Sequence, residues 1–318
     1  MRSPADSLPT PLLSIIIVSY NVSAIMRDCL LSIHEQTSIP HEIIIVDNAS
    51  PDDSCAMVER EFPQCLLIKN AQNQGFARAN NQGLAIARGR MTLFLNPDTI
   101  ILDNALDKLC ALLDAHEAWG MLGPHTFNAD GASTQATALH HPTLLRAFYL
   151  HIPVWRLVPF WKPAVLGEYI PRGSEAVDVV KGSCMLMRTA EAREIGGMNE
   201  AYFMYSEEID LCEAVRKRGK TVFYTREASI IHLGGASTAA VSQEMAVHLL
   251  RSLKKFFERS YPASPLALQS LRALLIIGSL WRGALWNVLA LLGVKREEAW
   301  EKVRIHRAMV HWLWTDFS

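Results

Sequence analysis

Three carboxylates lie within one turn at the start of a predicted helix, at Glu207, Glu208 and Asp210. Carboxylates this close repel one another unless a proton or a cation relieves the repulsion. Such crowding is typical of a site that holds a general base. The alternative is an ordinary helix start, because the helix dipole favours acidic residues in the first turn.

A further carboxylate, Asp98, follows a predicted buried strand in the segment Leu95-Asn96-Pro97-Asp98. This position suits a divalent cation that takes oxygen ligands and bridges phosphate groups. The alternative is that Asp98 only caps the next helix. His232 ends a later predicted strand, just before Gly234, and is a candidate metal ligand or else a buried polar residue.

Two other segments have residue types that suit a nucleotide. Asp47 and Asn48 follow a predicted strand, where they could hydrogen-bond a base or a ribose, although both residues are also favoured turn formers. Gly75 precedes a predicted helix, whose free N–H groups and dipole favour an anion such as a diphosphate. A plain helix start after a loop glycine gives the same pattern.

The elements that must position these residues alternate between short apolar strands and amphipathic helices. Strands are predicted at residues 12–18, 43–46, 66–69 and 91–95, with helices around residues 26–33 and at 76–87 and 105–116. Repeated strand–helix units indicate a mostly parallel sheet covered by helices, in which ligands bind beyond the carboxyl ends of the strands. We therefore expect one crevice to be lined by the segments Ser19-Tyr20-Asn21, Asp47-Asn48 and Asn96-Pro97-Asp98.

The pattern fades over residues 131–173, which are predicted to form a long, partly ordered loop over the site. It resumes with strands at 177–180 and 184–188, a helix at 209–218, and strands at 221–224 and 229–232. Beyond these strands the chain is predicted to be helical.

Composition limits the functional classes. The chain has 318 residues, half of them apolar, which is enough to bury a large hydrophobic core. Its formal net charge of -1 gives no overall positive potential of the kind that binds nucleic acid. Its six cysteines form no CxxC pair, which argues against a zinc site or a disulfide framework. Residues 1–11 lack the apolar region of a secretory signal, so a cytoplasmic location is expected.

Residues 266–293 carry only two charges, Arg272 and Arg282. Three outcomes are open: a spanning helix, a helix packed on the catalytic domain or in an oligomer, and a helix lying in the membrane surface. The last is favoured, because Gln269, Arg272, Ser279, Arg282 and Asn287 fall in an arc of roughly 140° and leave a wide apolar face. Trp281 and Trp286 would then lie near the lipid headgroups.

Taken together and in order, these motifs resemble glycosyltransferase family 2, in particular its bacterial rhamnosyltransferase-like branch. The resemblance runs from Leu12 to about Ser237. It implies an α/β fold of the GT-A type, a mostly parallel sheet flanked by helices with a C-terminal helical extension. A catalytic domain is expected at residues 1–240, with a nucleotide-binding half at 12–125 and an acceptor and catalytic half at 126–240, followed by a helical, membrane-associated region at 241–318. The motifs that carry it are Val18-Ser19-Tyr20-Asn21, Val46-Asp47-Asn48-Ala49-Ser50, the segment 73–80, Leu95-Asn96-Pro97-Asp98, the segment 203–212 and the segment 232–237.

The resemblance also implies roles for individual residues. Asp98 takes the place of the family's DXD motif, holding Mg²⁺ or Mn²⁺ on the diphosphate with help from His232. The general base lies in the Glu207-Glu208 pair, with Glu208 at the position usually held by aspartate and Asp210 as an alternative. Asp47 contacts the nucleobase. The nucleotide-sugar-binding residues are expected to be Ser19, Tyr20, Asn21, Asp47, Asn48, Gly75, Phe76, Asn80, Asn96 and Gly182.

The function that follows is an inverting, metal-dependent transfer of a sugar from a nucleotide diphosphate donor to a lipid-linked or polysaccharide acceptor. The resemblance suggests dTDP-rhamnose as the donor, and UDP-sugars and GDP-sugars stay open. The resemblance places this reaction in bacterial surface polysaccharide synthesis at the cytoplasmic face of the inner membrane. One rival is a nucleotidyltransferase, which would want a glycine-rich, basic loop where Ser19-Tyr20-Asn21-Val22 stands. The other is a non-catalytic sugar-nucleotide-binding subunit of a synthase complex.

Overall fold

The computed structural model describes residues 10–152, 167–234, 242–262 and 264–317. The strands are β1 (Leu13–Ser19), β2 (His41–Asp47), β3 (Leu66–Lys69), β4 (Met91–Leu95), β5 (Thr99–Ile101), β6 (Trp119–Phe127), β7 (Ala138–Leu139), β8 (Glu168–Tyr169), β9 (Glu175–Ala176), β10 (Val179–Val180), β11 (Cys184–Arg188) and β12 (Thr221–His232). The helices are α1 (Ser23–Gln36), α2 (Ser54–Glu61), α3 (Phe76–Ile86), α4 (Ala105–Ala115), α5 (Leu144–His151), α6 (Thr189–Ile195), α7 (Glu207–Lys217), α8 (Ser242–Ser260), α9 (Pro265–Leu291) and α10 (Arg296–Thr315).

The central sheet has the strand order β3-β2-β1-β4-β11-β6-β12-β5, with β9 paired to β12. Strands β3, β2, β1 and β4 run parallel to one another, and β6 is parallel to β12, whereas β11, β5 and β9 run antiparallel to their neighbours. All seven residues of β1 are buried, as expected for a strand with helices over both faces. The predicted α/β fold with a mostly parallel sheet is confirmed.

The first helices cover the sheet through the apolar positions that their sequence spacing predicts. Met26, Cys29, Leu30 and Ile33 of α1 are all fully buried in the core. On α3, Gly83 allows a close approach to β1, because a Cβ at this position would lie 2.5 Å from Cγ2 of Ile16. This packing fixes the start of each helix at the same edge of the sheet as the strand ends that precede it.

Three of the predicted segments differ from the structure. The two predicted strands at 221–224 and 229–232 are one strand, β12, whose register shifts between Thr225 and Ser229, so the polar residues between them form an irregularity rather than a turn. In place of one predicted strand at 177–180, the structure has two short strands, β9 before this segment and β10 at its end. The predicted loop at 131–173 contains the helix α5, which Thr143 caps by accepting a hydrogen bond from the Arg146 N–H; residues 153–166 of that loop lie outside the described residues.

The chain divides into two compact units. The first comprises residues 1–139, 170–200 and 207–237 and contains the central sheet; the second comprises 140–169, 201–206 and 238–318 and contains α5, α8, α9 and α10. The expected domain boundary at residue 240 stays a prediction. Among the described residues, one helix, α9, is long and apolar enough by length and composition to cross a membrane, with a mean hydropathy of 1.6.

Gly89 is a sensitive point of the sheet unit. Its N–H donates to Ser14 Oγ, and a Cβ there would lie 2.5 Å from the backbone nitrogen of Ser14 and 2.7 Å from the carbonyl carbon of Leu13. Because backbone atoms cannot give way as a side chain can, we expect Gly89→Ala to lower the free energy of unfolding by about 1–3 kcal/mol or more in urea denaturation. Gly173→Ala is the control, since no atom lies within 4 Å of its added Cβ; equal loss in both variants would contradict the prediction.

Candidate active site

The polar residues at the ends of β1 and β2 lie side by side, as the sequence predicts. Ser19 is the register partner of Asp47, and the Asn48 N–H donates to the Ser19 carbonyl at 2.8 Å. The side chain of Ser19 is fully buried, and its Oγ has no hydrogen-bond partner within the described part of the chain. A buried hydroxyl without a partner is costly, so Ser19 indicates a place where a ligand group completes the site.

Asp47 is held by the turn that follows β2. Its Oδ1 accepts from the Ser50 N–H at 2.9 Å and its Oδ2 from the Ser50 hydroxyl at 2.5 Å. The Ser50 Oγ in turn accepts from the N–H of Asn21, which has a left-handed φ of 55°. Asp47 is 3% exposed, and the Cys55 thiol also lies within hydrogen-bonding reach of its carboxylate. Asp47 is thus both a turn former and an oriented acceptor.

Asn48 makes its contacts with the protein. Its Nδ2 donates to the Gly75 carbonyl at 3.2 Å, and its Oδ1 accepts from Asn70 Nδ2 at 3.0 Å and from the Gln74 N–H at 3.3 Å. These bonds fix the loop before α3. The geometry favours a positioning role for Asn48 over direct contact with a nucleotide.

Gly75 shapes the start of α3. Its φ of 83° and ψ of 169° are open to glycine and strained for other residues, and its carbonyl accepts from Asn48 and from the Ala79 N–H. Asn80, 1% exposed, donates from Nδ2 to the Phe76 carbonyl within the helix. The Gly75 N–H already donates to Asn73 Oδ1 at 2.9 Å, so the expected anion site would rest on the first N–H groups of α3 itself.

Asp98 and His232 lie together, although 134 positions separate them in the sequence. The Asp98 Oδ1 is 3.2 Å from the His232 Nε2, and both side chains are mostly buried. This contact forms because β5, which follows Asp98, pairs with the end of β12, with Thr99 opposite His232. The helix-capping alternative for Asp98 finds no support, since Ala105 begins α4 with Asn104 as its cap residue.

The partners of His232 define its tautomer. Gln135 Oε1 is 2.9 Å from Nδ1, and because an amide oxygen only accepts, Nδ1 donates there. Asn96 Nδ2 lies 3.4 Å from Nε2 and only donates, so Nε2 presents its lone pair. The same Nε2 lies 3.2 Å from the Asp98 Oδ1, so this nitrogen and this oxygen are two donor atoms that one cation could share.

The donor set fits a divalent cation whose remaining ligands come from elsewhere. Adjacent ligands of an octahedral Mg²⁺ or Mn²⁺ lie roughly 3 Å apart, close to the separation of the two donor atoms. Within the described ranges no group of three or more His, Cys, Asp or Glu side chains gathers to hold a metal. The chain thus offers two donors, and a cation there would take its other ligands from phosphate and water.

Gln135 is a positioning residue that the sequence did not reveal. It is anchored by its own N–H, which donates to the Thr126 carbonyl at 2.9 Å. We expect Gln135→Leu to weaken the apparent affinity for Mn²⁺ by about 10–100-fold, since the acceptor that fixes the His232 tautomer is lost. Nucleoside diphosphate release as a function of Mn²⁺ concentration measures this. Gln135→Glu keeps the acceptor oxygen and should recover most of the affinity, so similar behaviour of both variants would contradict this role.

A short run of contacts joins this pair to the carboxylates of α7. The Asn96 N–H donates to the Ser183 carbonyl at 2.9 Å, because β4 and β11 pair antiparallel and bring residue 183 beside residue 96. Gly182 precedes it, and a Cβ on Gly182 would lie 3.7 Å from the Glu208 Cβ. Glu208 is half-buried at the start of α7. Asp98 and Glu208 are therefore on neighbouring parts of one edge of the sheet.

The other two acids of α7 differ from Glu208 in environment. Asp210 is 6% exposed and accepts from Asn199 Nδ2 at 3.2 Å. Glu207 is 4% exposed, and its Oε2 has no hydrogen-bond partner within the described chain. Burial raises the pKa of Glu207 well above its usual value, and the neighbouring Glu208 carboxylate raises it further. Glu208 is thus the most exposed residue of the three, although its Oε2 is itself buried.

Stability should report the state of Glu207. A glutamic acid whose pKa is raised in the fold keeps its proton there after the unfolded chain has lost it, so stability falls as pH rises from about 4.5 towards the raised pKa. Glutamine stays neutral, so we expect Glu207→Gln to be stabilised relative to wild type by at least about 1 kcal/mol more at pH 8 than at pH 4 in urea unfolding. Glu194→Gln, with a side chain 74% exposed, is the control and should show no such pH dependence.

The chain is similar in sequence to known glycosyltransferases. Residues 14–161 match the family model described as Glycosyl transferase family 2. The N-acetylglucosaminyl-diphospho-decaprenol L-rhamnosyltransferase of Mycobacterium tuberculosis is 29% identical over 257 residues, which cover 76% of this chain and 81% of that protein.

Two solved structures share the fold. The mannosyltransferase PcManGT from Pyrobaculum calidifontis, in complex with GDP-Man and Mn²⁺, aligns over 97% of this chain and 88% of its own with a TM-score of 0.56 and 17% identity. TarS 1-349 of S. aureus aligns over 94% of this chain and 90% of its own with a TM-score of 0.50 and 17% identity. At such identities the likeness concerns the fold alone, and it confirms the expected GT-A architecture.

Proposed function

Residues 14–161 match the model of Glycosyl transferase family 2, and from that match we propose that the chain transfers a sugar from a nucleoside diphosphate donor to an acceptor hydroxyl with inversion at the anomeric carbon. One observation carries this proposal. The Asp98–His232 pair, at 3.2 Å, is joined through Asn96, Ser183 and Gly182 to the half-buried carboxylate of Glu208. A cation-binding pair near a carboxylate base is what glycosyl transfer from a diphosphate needs.

In the proposed reaction, Glu208 accepts the proton of the acceptor hydroxyl as that oxygen forms its bond to the anomeric carbon. The bond from the anomeric carbon to the diphosphate oxygen breaks in the same step, and the electron pair leaves with the diphosphate. Asp98 and His232 would hold Mg²⁺ or Mn²⁺, which neutralises the charge of the leaving diphosphate. Asp47 and Ser19 orient the nucleoside, and the N–H groups at the start of α3 face the phosphates.

The relatives suggest the substrates. The mycobacterial relative is named for L-rhamnose transfer to N-acetylglucosaminyl-diphospho-decaprenol, which supports dTDP-rhamnose as donor and a polyprenyl diphosphate-linked sugar as acceptor. Such an acceptor requires contact with a membrane, and the nucleotide donor favours its cytoplasmic face. The manganese in the mannosyltransferase neighbour supports a divalent ion.

The test is donor cleavage and transfer by the purified full chain with dTDP-, UDP- and GDP-sugars and a polyprenyl diphosphate-linked N-acetylglucosamine, with Mn²⁺, with Mg²⁺ or with a chelator. We expect one donor to be used, release of nucleoside diphosphate to stop in chelator, and an inverted anomeric linkage by NMR. A retained linkage would contradict the single displacement. Donor binding without turnover with any acceptor would instead favour a non-catalytic subunit.

A further inference from the structure

Helix α9 directs Arg272, Ser279 and Arg282 into the protein. Ser279 is 2% exposed. Arg272 donates from Nε to the Leu313 carbonyl at 2.8 Å and from Nη2 to the Trp314 carbonyl at 3.3 Å. Arg282 lies against His151, with Nη1 and Nδ1 3.4 Å apart. On a helix that covers a core in water these residues would face the solvent instead.

The opposite side of α9 is apolar and exposed. Ile277, Leu280, Val288 and Leu291 are between 47% and 74% exposed. At 100° per residue these four fall within an arc of about 80°, centred opposite the inward-facing arginines. Soluble proteins rarely leave so long an apolar row in water, so it indicates a non-aqueous partner.

A spanning orientation is excluded by the helix packed beside α9. Arg272 contacts residues 313 and 314, whereas a Cβ on Gly283 would lie 3.3 Å from the His306 Cβ, so α10 runs antiparallel along α9. Charges line α10, at Glu297, Glu298, Glu301, Lys302 and Arg304. A bilayer-spanning α9 would carry these charges into hydrocarbon, which is strongly unfavourable.

A second protein copy fits the apolar row less well than lipid does. Interfaces between proteins combine an apolar centre with hydrogen bonds that set their register. The exposed side of α9 carries no charge, and its polar residues are Gln269, Ser270 and Asn287 at the edges of the apolar row. The acyl chains of a bilayer need no hydrogen-bonding groups on the protein surface that they contact. Arg272 and Arg282 already contact groups of the protein itself.

We propose that α9 lies in the interfacial region of a lipid bilayer, with the row Ile277, Leu280, Val288 and Leu291 inserted among the acyl chains. Arg272, Ser279 and Arg282 keep their contacts inside the helical unit on binding. This inference rests on the proposed function in one respect, which is that a lipid-linked acceptor lies at that bilayer. It names the surface by which the enzyme reaches a lipid-linked acceptor.

The experiment is flotation of the full chain with vesicles of phosphatidylethanolamine and phosphatidylglycerol, on wild type and on the triple variant Ile277→Ser, Leu280→Ser, Val288→Ser. We expect wild type to float with the vesicles and the triple variant to lose at least about tenfold in partition coefficient. The matched control is Leu66→Ser with Ile86→Ser, which removes apolar side chains of 41% and 44% exposure from the sheet unit and should float like wild type. Circular dichroism verifies that each variant keeps its helices.

Donor hydrolysis with water as acceptor, measured without vesicles, separates this proposal from the proposed function. Retained hydrolysis with lost flotation in the triple variant supports the membrane face. Equal flotation of wild type and triple variant overturns the membrane proposal. The proposal also fails if wild type stays in the soluble fraction and forms a dimer that the triple variant does not form. Flotation without donor cleavage by any protein would leave the membrane face supported and reject the proposed function.

Discussion

Replacing Glu208 by glutamine is expected to lower the rate of sugar transfer by about 10²–10⁴-fold, the usual contribution of a general base. The variant keeps the shape of the side chain beside Gly182 but removes its negative charge and its capacity to accept a proton. Because the base acts in the chemical step, kcat should fall while the affinity for the donor, measured by calorimetry, stays within about threefold.

Glu213→Gln is the matched control for this substitution. Glu213 lies on the same helix, α7, where it pairs with Lys217 at 2.8 Å, so its loss should leave transfer unchanged. If Glu208→Gln retained more than a tenth of the wild-type rate, the base would have to be sought elsewhere. Asp210→Asn would then be the next variant, since Asp210 is the alternative on the same turn.

Replacing Asp98 by asparagine should have the second large effect. Asparagine keeps an oxygen near His232 but not the negative charge, so the pair loses its main attraction for a divalent cation. We expect transfer at saturating donor to fall by about 10²–10³-fold, with several kcal/mol of transition-state stabilisation lost. Mn²⁺ binding in the presence of nucleoside diphosphate, followed by electron paramagnetic resonance, should weaken in parallel.

Asp103→Asn is the control for the loss of charge near this strand. Asp103 is exposed and has a left-handed φ of 45°, a conformation that asparagine tolerates well. It should bind Mn²⁺ and transfer sugar as wild type does. Undiminished Mn²⁺ binding in Asp98→Asn would remove Asp98 from the metal site and leave it as a partner of His232 alone.

Local patterns predicted much of the sheet unit but not all of it. The strands at 66–69, 91–95 and 184–188 have the predicted bounds, because a short apolar run between polar residues leaves little choice of where the strand begins and ends. Strand β6, in contrast, gave no such pattern, since Gly120, Gly123 and Pro124 interrupt it. It is a strand because β11 and β12 pair with it from both sides.

The sequence by itself determined which residue types stand at the strand ends, since Ser19, Asp47 and Asn96 follow apolar runs whose direction is fixed by alternation with helices. Tertiary structure alone decided what those residues touch. Gln135 meets His232 across 97 positions, and Gly182 meets Glu208 through the pairing of β4 with β11. The two faces of α9 were also visible in the sequence, but only the packing of α10 and α5 decided that the polar face turns inward, because periodicity defines faces and neighbours define their direction.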